Sequence, residues 1–371
     1  MISPSPDAMA VVASAGTKDP LCAVIDIAAW RGLEIGPLTN PRVRKTDGPV
    51  MYLDHASTDE LRAKYATNTQ LAPTINDLVD VDLVQKPSQT LTDAVAGHAP
   101  FDYVIAAHVV EHIPDVIGWL QELEGVLHVG GVLSLVIPDK RFTFDVNRAP
   151  TDAADLVDCF LRGLHRPSFR QIFDFFSRTT TIDGMVDTPG LWAGTANYNG
   201  VVRDDVSDAM VHAFAICQQQ LTSPSLVDIH CSVLTPASFL DLYEALVRLR
   251  LTSFEVAAFF PTARNSLEFF VSLRKVDGDD VHGRQMDSLA QAAAALATAP
   301  APTVVAAPTT AAARAGPAAA QSTTVSAPGA AAARPNNSGA ISMEVSRDEQ
   351  RLLLAKRRLF TTVRNWVHRR R

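Results

Sequence analysis

Residues 32–38 read Gly32-Leu33-Glu34-Ile35-Gly36-Pro37-Leu38. A short apolar run, interrupted by one acid, ends in a glycine. Apolar residues on both sides of a strand mark one covered on both faces, as in a parallel sheet. Glycine has no Cβ, so the chain can turn sharply there and come close to whatever lies beyond the strand. In doubly wound sheets, ligands bind outside the carboxyl ends of the strands. Taken alone, the stretch is also compatible with a plain strand-to-loop turn.

The pattern repeats outward. Strand-like segments fall at 31–35, 50–54, 79–84, 101–107 and 132–137. Ser57-Thr58-Asp59-Glu60 offers a capping-box helix start after the second strand. A helix is predicted over 115–127, stopping at Gly130-Gly131. Alternating strands and helices imply βαβ units, hence an α/β chain with a doubly wound, mostly parallel sheet. From 141 to 225 the pattern becomes irregular and helical, with helices predicted over 151–163, 168–177 and 205–220 and an exposed-looking Trp192. Val227–Leu234 reads as a returning strand, followed by a helix over 236–249 and a final pair at 253–259 and 268–273.

Three segments stand in a fixed order: the Gly36 loop, Val50-Met51-Tyr52-Leu53-Asp54, and Phe101-Asp102-Tyr103-Val104-Ile105-Ala106-Ala107-His108-Val109-Val110-Glu111-His112. Together they resemble class I S-adenosylmethionine (SAM)-dependent methyltransferases, in the type 11-like branch whose fourth strand ends in a "vLEH" signature. The resemblance covers about residues 21–275. It implies a seven-stranded Rossmann-like methyltransferase fold with an antiparallel edge hairpin, and a helical insertion covering the substrate. It also implies SAM as cofactor and a small-molecule or glycan-linked acceptor.

Carried over residue by residue, the resemblance sets Gly36 beside the methionine part of SAM and Glu34 near its amino group, reaching it through water. Asp54 would accept hydrogen bonds from the ribose hydroxyls, and His55 would border the adenine. No acid follows the third strand, which reads Val84-Gln85-Lys86-Pro87-Ser88, so adenine contacts fall to Gln85 or to the backbone. His108 would project over the cofactor from the end of strand four, or it is a surface-loop histidine. Glu111 and His112 would brace the loop, with His112 a packed, hydrogen-bonded histidine.

Methyl transfer from SAM is an in-line displacement at a sulfonium carbon. The protein's tasks are therefore to align donor and acceptor and, where needed, to take a proton from the acceptor. Candidate catalytic residues are His108, Asp139, His165 and His230. Asp139 lies in the charged run Pro138-Asp139-Lys140-Arg141 after strand five, which is either a substrate edge or a salt-bridged loop. Histidine titrates near neutral pH, which suits His165 and His230 to base roles, although each is equally readable as structural. The sequence holds no HExxH, no His/Cys cluster and no tight carboxylate pair, so no metal is expected. It also lacks a GxGxxG fingerprint and a Walker loop, which argues against dinucleotide and nucleoside-triphosphate chemistry. Set against the enzyme is a second reading: a catalytically degenerate methyltransferase-fold scaffold.

Bulk properties agree with a globular body. The chain has 371 residues, 47% hydrophobic and 20% charged, with net charge −7. Residues 341–371 carry nine Lys/Arg against three acids, leaving the remainder strongly acidic. An acidic body argues against general nucleic-acid binding. The four cysteines are scattered, which suits a reducing cytoplasm. No signal peptide or transmembrane run is evident. The expected organisation is a flexible leader over 1–20, the methyltransferase domain over 21–275 and a disordered Ala/Pro/Thr-rich linker over 276–340. Over 341–371 a basic amphipathic helix is expected, suited to an anionic membrane surface or an acidic protein partner.

Overall fold

Every residue of β1 (Gly32–Ile35) is buried, as a strand covered on both faces requires. It lies between two parallel neighbours, β2 (Val50–Asp54) and β4 (Phe101–Ala107). Gly32 is demanded by that position: a Cβ there would sit 1.9 Å from the Tyr103 ring. Outside β2 lies β3 (Leu83–Val84). On the other side, β4 pairs in parallel with β5 (Leu127–Pro138). The sheet is finished by an antiparallel hairpin, β6 (Phe254–Phe260) and β7 (Glu268–Lys275), with β7 against β5. The seven-stranded order is β3-β2-β1-β4-β5-β7-β6. This computed structural model describes residues 19–66, 72–86, 89–180, 186–198, 208–223 and 227–300.

The strands alternate as a two-faced sheet must. Val104 and Ala106 of β4 join the larger core, while Tyr103 and Ile105 join the smaller one on the opposite face. Helices α1 (Thr58–Tyr65), α2 (Leu91–Ala94) and α3 (Val116–Val126) lie among the first strands. α1 starts at Ser57 with the expected capping box to Glu60. Trp119, Leu120 and Leu123 of α3 line the larger core. The insertion supplies α4 (Ala153–Leu161), α5 (Phe169–Arg178), α6 (Thr188–Ala193) and α7 (Ala209–Gln220). α8 (Pro236–Arg248) then leads into the hairpin.

Four expectations are corrected. β3 spans only 83–84 rather than 79–84. The Asp82 carboxylate accepts from Tyr52 N at 2.8 Å, taking the place of a ladder carbonyl. Residues 227–234 do not form a strand and make only one bridge to the sheet, Asp139 to Leu234. The Cys231 and Ser232 amides go instead to the Glu111 carbonyl. Trp192 is buried, stacked on Phe142 with ring centroids 4.4 Å apart. Its Nε1 donates to Ser266 O at 2.8 Å. The start of the expected linker is a helix, α9 (Val281–Ala297). It buries Leu289, Ala292 and Ala295, positions three apart that place small side chains on one face. Gln285 of α9 donates to Thr252 O and Phe254 O. The leader up to 18, the linker from 301 and the C-terminal helix over 341–371 lie outside the described residues. Among the described residues, no helix is long and apolar enough to cross a membrane.

Because Leu289 packs into the main core, Leu289→Ala should cost about 2–4 kcal/mol in urea unfolding. A change within error would show that this segment does not dock.

Candidate functional site

β1 and β4 are neighbours in space but not in sequence, and their carboxyl ends mark the point where strand order reverses. Ligands of doubly wound sheets bind in that crevice. Both chain exits there are left-handed, Gly36 at φ +65 and His108 at φ +53. A Cβ on Gly36 would meet Val109 Cγ2 at 3.8 Å, an ordinary contact, so conformation rather than space favours glycine. Pro37 and Leu38 carry the loop away, with Leu38 also left-handed.

Glu34 closes this loop from below. Its buried carboxylate accepts from Arg42 N at 2.7 Å and Val43 N at 3.1 Å. Burial raises its pKa to about 7, against the pull of those two amides and the nearby Arg42 charge. Glu34 therefore titrates near neutrality, and both its oxygens are already committed to the loop backbone.

Asp54 ends β2. Its Oδ1 accepts from His55 N at 2.7 Å and also meets His55 Nδ1. The other His55 nitrogen, Nε2, lies 2.8 Å from Lys64 Nζ. His55 thus has both ring nitrogens engaged and orients Asp54. Asp54 Oδ2 is buried and without a hydrogen-bond partner. Gln85 is buried beside it in the sheet, its amide N donating to Asp54 O at 2.9 Å. The Gln85 side-chain Nε2 donates to Gln89 O at 3.1 Å, toward the following loop.

His108 Nε2 meets Glu268 Oε2 at 2.7 Å, and its Nδ1 lies 3.5 Å from Glu111 Oε1. Burial disfavours the charged ring, but these two carboxylates outweigh it and hold the pKa up at about 9. His108 is therefore a cation at neutral pH. Glu268 is itself 3.9 Å from Arg42, which joins β7 to the loop that Glu34 closes.

The remaining candidates separate. Asp139 is fully buried and does not offer a free carboxylate. Arg141 grips both its oxygens, at 3.0, 3.1 and 2.6 Å, and Thr262 Oγ1 donates to it at 2.7 Å. That arrangement makes Asp139 a brace between β5 and the hairpin turn. His165 lies in the turn between α4 and α5. His230 instead faces His112, ring centroids 4.9 Å apart. His112 Nδ1 meets Asp228 Oδ1 at 2.7 Å, and His230 Nδ1 meets Asp145 Oδ2 at 2.6 Å. Asp145 is also bound by buried Arg148 at 2.7 Å, and its pKa falls to about 2 because the burial that would raise it is outweighed by the Arg148 guanidinium and the His230 ring.

Sequence reasoning missed Glu268, Asp145, Arg148 and Thr262. Glu268 is the first residue of β7, Asp145 and Arg148 sit in an irregular loop, and no local spacing links them to the histidines. Nor did spacing reveal that Glu111, His112 and His230 place ligand-type atoms within 4.8 Å of one another.

A raised carboxylate pKa gives a signed prediction. Glu34's contribution to stability is complete below its ordinary 4.5 and is lost as pH rises through about 7. Glu34→Gln should remove that fall, on the order of 3 kcal/mol across the window, in urea unfolding as a function of pH. An unchanged pH slope would contradict the burial argument.

No family model matches the chain, and no curated protein matches it. Solved structures do. The CcbJ methyltransferase from Streptomyces caelestis is 21% identical at TM-score 0.23, over 33% of this chain and 52% of that one. Magnesium protoporphyrin IX methyltransferase from Synechocystis PCC 6803, with bound S-adenosylhomocysteine (SAH), is 9% identical at TM-score 0.30, over 67% and 76%. A SAM-dependent methyltransferase from Methanosarcina mazei is 15% identical at TM-score 0.31, over 67% and 93%. The chain spans about half the length of the first of these. These likenesses are distant, and the strand order and register of the chain itself carry the fold.

Proposed function

We propose that the crevice at the ends of β1, β2 and β4 binds SAM and that the domain transfers its methyl group to a small-molecule or glycan-linked acceptor. The observation that carries this reading is Asp54 Oδ2. A buried carboxylate oxygen with no partner costs free energy unless a ligand donates to it. It sits at the end of β2, adjacent in the sheet to the left-handed Gly36 exit. Paired ribose hydroxyls are suitable donors, and His55 holds the aspartate in place to receive them.

The residues present fit the cofactor. Asp54 would hold the ribose and the Gly36 loop would border the methionine part. Glu34, spent on the loop amides, shapes that loop and places a titrating carboxylate beneath it. When bound, SAM supplies an electrophilic methyl carbon, so the protein's share of the chemistry is alignment. His108, charged at neutral pH, is suited to hold an electron-rich or anionic group of the acceptor rather than to take its proton.

The insertion supports a covered pocket. Trp192 donates to Ser266 O, and Thr188 Oγ1 donates to Phe142 O at 3.0 Å, so α6 folds back onto the loops at the carboxyl edge. A covered site and an acidic body suit a small acceptor or a glycan end better than a nucleic-acid duplex.

The scaffold reading retains one supporting observation: no acid follows β3, and the Gln85 amide is turned to Gln89. Calorimetry with SAH separates the two. The enzyme reading expects saturable binding by the wild type. Asp54→Asn should weaken it about 10- to 100-fold, the loss of one or two charge-assisted bonds, with the melting temperature kept. Absence of binding at millimolar SAH would favour the scaffold.

A further inference from the structure

We propose that Glu111, His112 and His230 form a site for a divalent transition-metal ion of the zinc class, beside the crevice. This inference stands independently of methyl transfer.

The donor atoms are already in the state a metal site requires. Both carboxylate oxygens of Glu111 are buried without a hydrogen-bond partner. The nearest opposite groups are His108 Nδ1 at 3.5 Å, a long ion-pair contact, and His112 Nε2 at 4.0 Å, so neither oxygen has a short donor. Each of the two histidines commits Nδ1 to a carboxylate, His112 to Asp228 and His230 to Asp145. With Nδ1 donating to those carboxylates, Nε2 is the nitrogen that offers a lone pair once each ring is neutral. It is the arrangement by which outer carboxylates orient metal-ligating imidazoles. The three donor groups already lie within 4.8 Å of one another. Tetrahedral ligands at zinc distances stand about 3.4 Å apart, so small side-chain rotations close the site.

The surroundings also hold the ligands firmly. Glu111 and His112 belong to the short turn after β4, and the segment carrying His230 is fastened to that turn. Cys231 N and Ser232 N donate to Glu111 O at 2.6 and 3.0 Å. Buried Arg148 donates to His230 O at 2.9 Å and holds Asp145 at the same time. Asp174 in turn accepts from Arg148 Nε at 2.7 Å. Phe144 packs on the His230 ring, centroids 4.8 Å apart, and gives the site an apolar wall. Two imidazoles and one carboxylate suit zinc, iron or cobalt better than calcium or magnesium. Three protein ligands leave a coordination position for water or an exogenous oxygen.

The test uses the untagged full-length chain, stripped with a chelator and titrated with Co²⁺ and Zn²⁺. Expected are one equivalent of Co²⁺ per chain, visible d–d absorption without a thiolate charge-transfer band, and displacement by Zn²⁺. His230→Gln and Glu111→Gln should each weaken Zn²⁺ binding about 100-fold or more, and Asp145→Asn about 10- to 100-fold. Zinc-edge X-ray absorption on the wild type needs no variant and should show two imidazoles with oxygen ligands. No saturable binding at micromolar metal, a shell containing sulfur or a single imidazole, or wild-type affinity in both ligand variants would overturn the proposal.

Discussion

The parallel pairing of β1 with β4, Ile35 opposite Ala106, is the constraint on which the rest of the molecule depends. Two strands far apart in sequence are made neighbours, so their connections must leave in opposite directions and cannot both cover the strand ends. The opening is a consequence of topology before any side chain is considered. The left-handed exits at Gly36 and His108 then turn both chains aside. The tight approach of Tyr103 to Gly32 keeps the two strands in register.

Around that opening, charge is distributed with its own logic. On the β2 side, Asp54 keeps one oxygen in reserve while His55 and Lys64 occupy the other half of the local network. On the β4 side, His108 is made a cation by Glu111 and Glu268, which reach it from the turn below and from the edge hairpin. One flank of the crevice thus offers a buried anion and the other a held cation. Behind the cation lies a largely buried layer, Asp145, Arg148, Asp228 and the two histidines, whose contacts join the insertion and the returning segment to each other and to the turn after β4. Breaking one partner of such a buried pair leaves an uncompensated charge, so each pair depends on both of its members.

Much of the architecture could be read from local pattern. The capping box at Ser57, the apolar runs of β1, β4 and β5, and the edge hairpin each announce themselves within a few residues. Asp54 and Gly36 could also be placed, because their positions at strand ends follow from where apolar runs stop. What escaped was non-local. That Asp139 would be spent on Arg141 and Thr262 depends on the hairpin folding back over β5. That His112 and His230 would face each other depends on the 227–234 segment leaving the sheet to bond Glu111. The helix α9 escaped because its buried face, Gln285, Ser288, Leu289, Ala292 and Ala295, is mostly small or polar and carries little hydropathic period although it packs closely. Trp192 reads as exposed because it stands in a glycine-flanked stretch, Gly190 to Gly194, whereas its packing partner is the distant Phe142.

The central claim is that the β1–β2–β4 crevice holds the nucleoside of SAM through Asp54. A crystal structure of the full-length chain with SAH bound tests it most directly. Both ribose hydroxyls should lie within hydrogen-bond distance of Asp54, with Oδ2 engaged and the Gly36 loop against the amino-acid end. Density for SAH elsewhere, or a crevice filled by protein side chains with Asp54 Oδ2 turned to a protein donor, would contradict it.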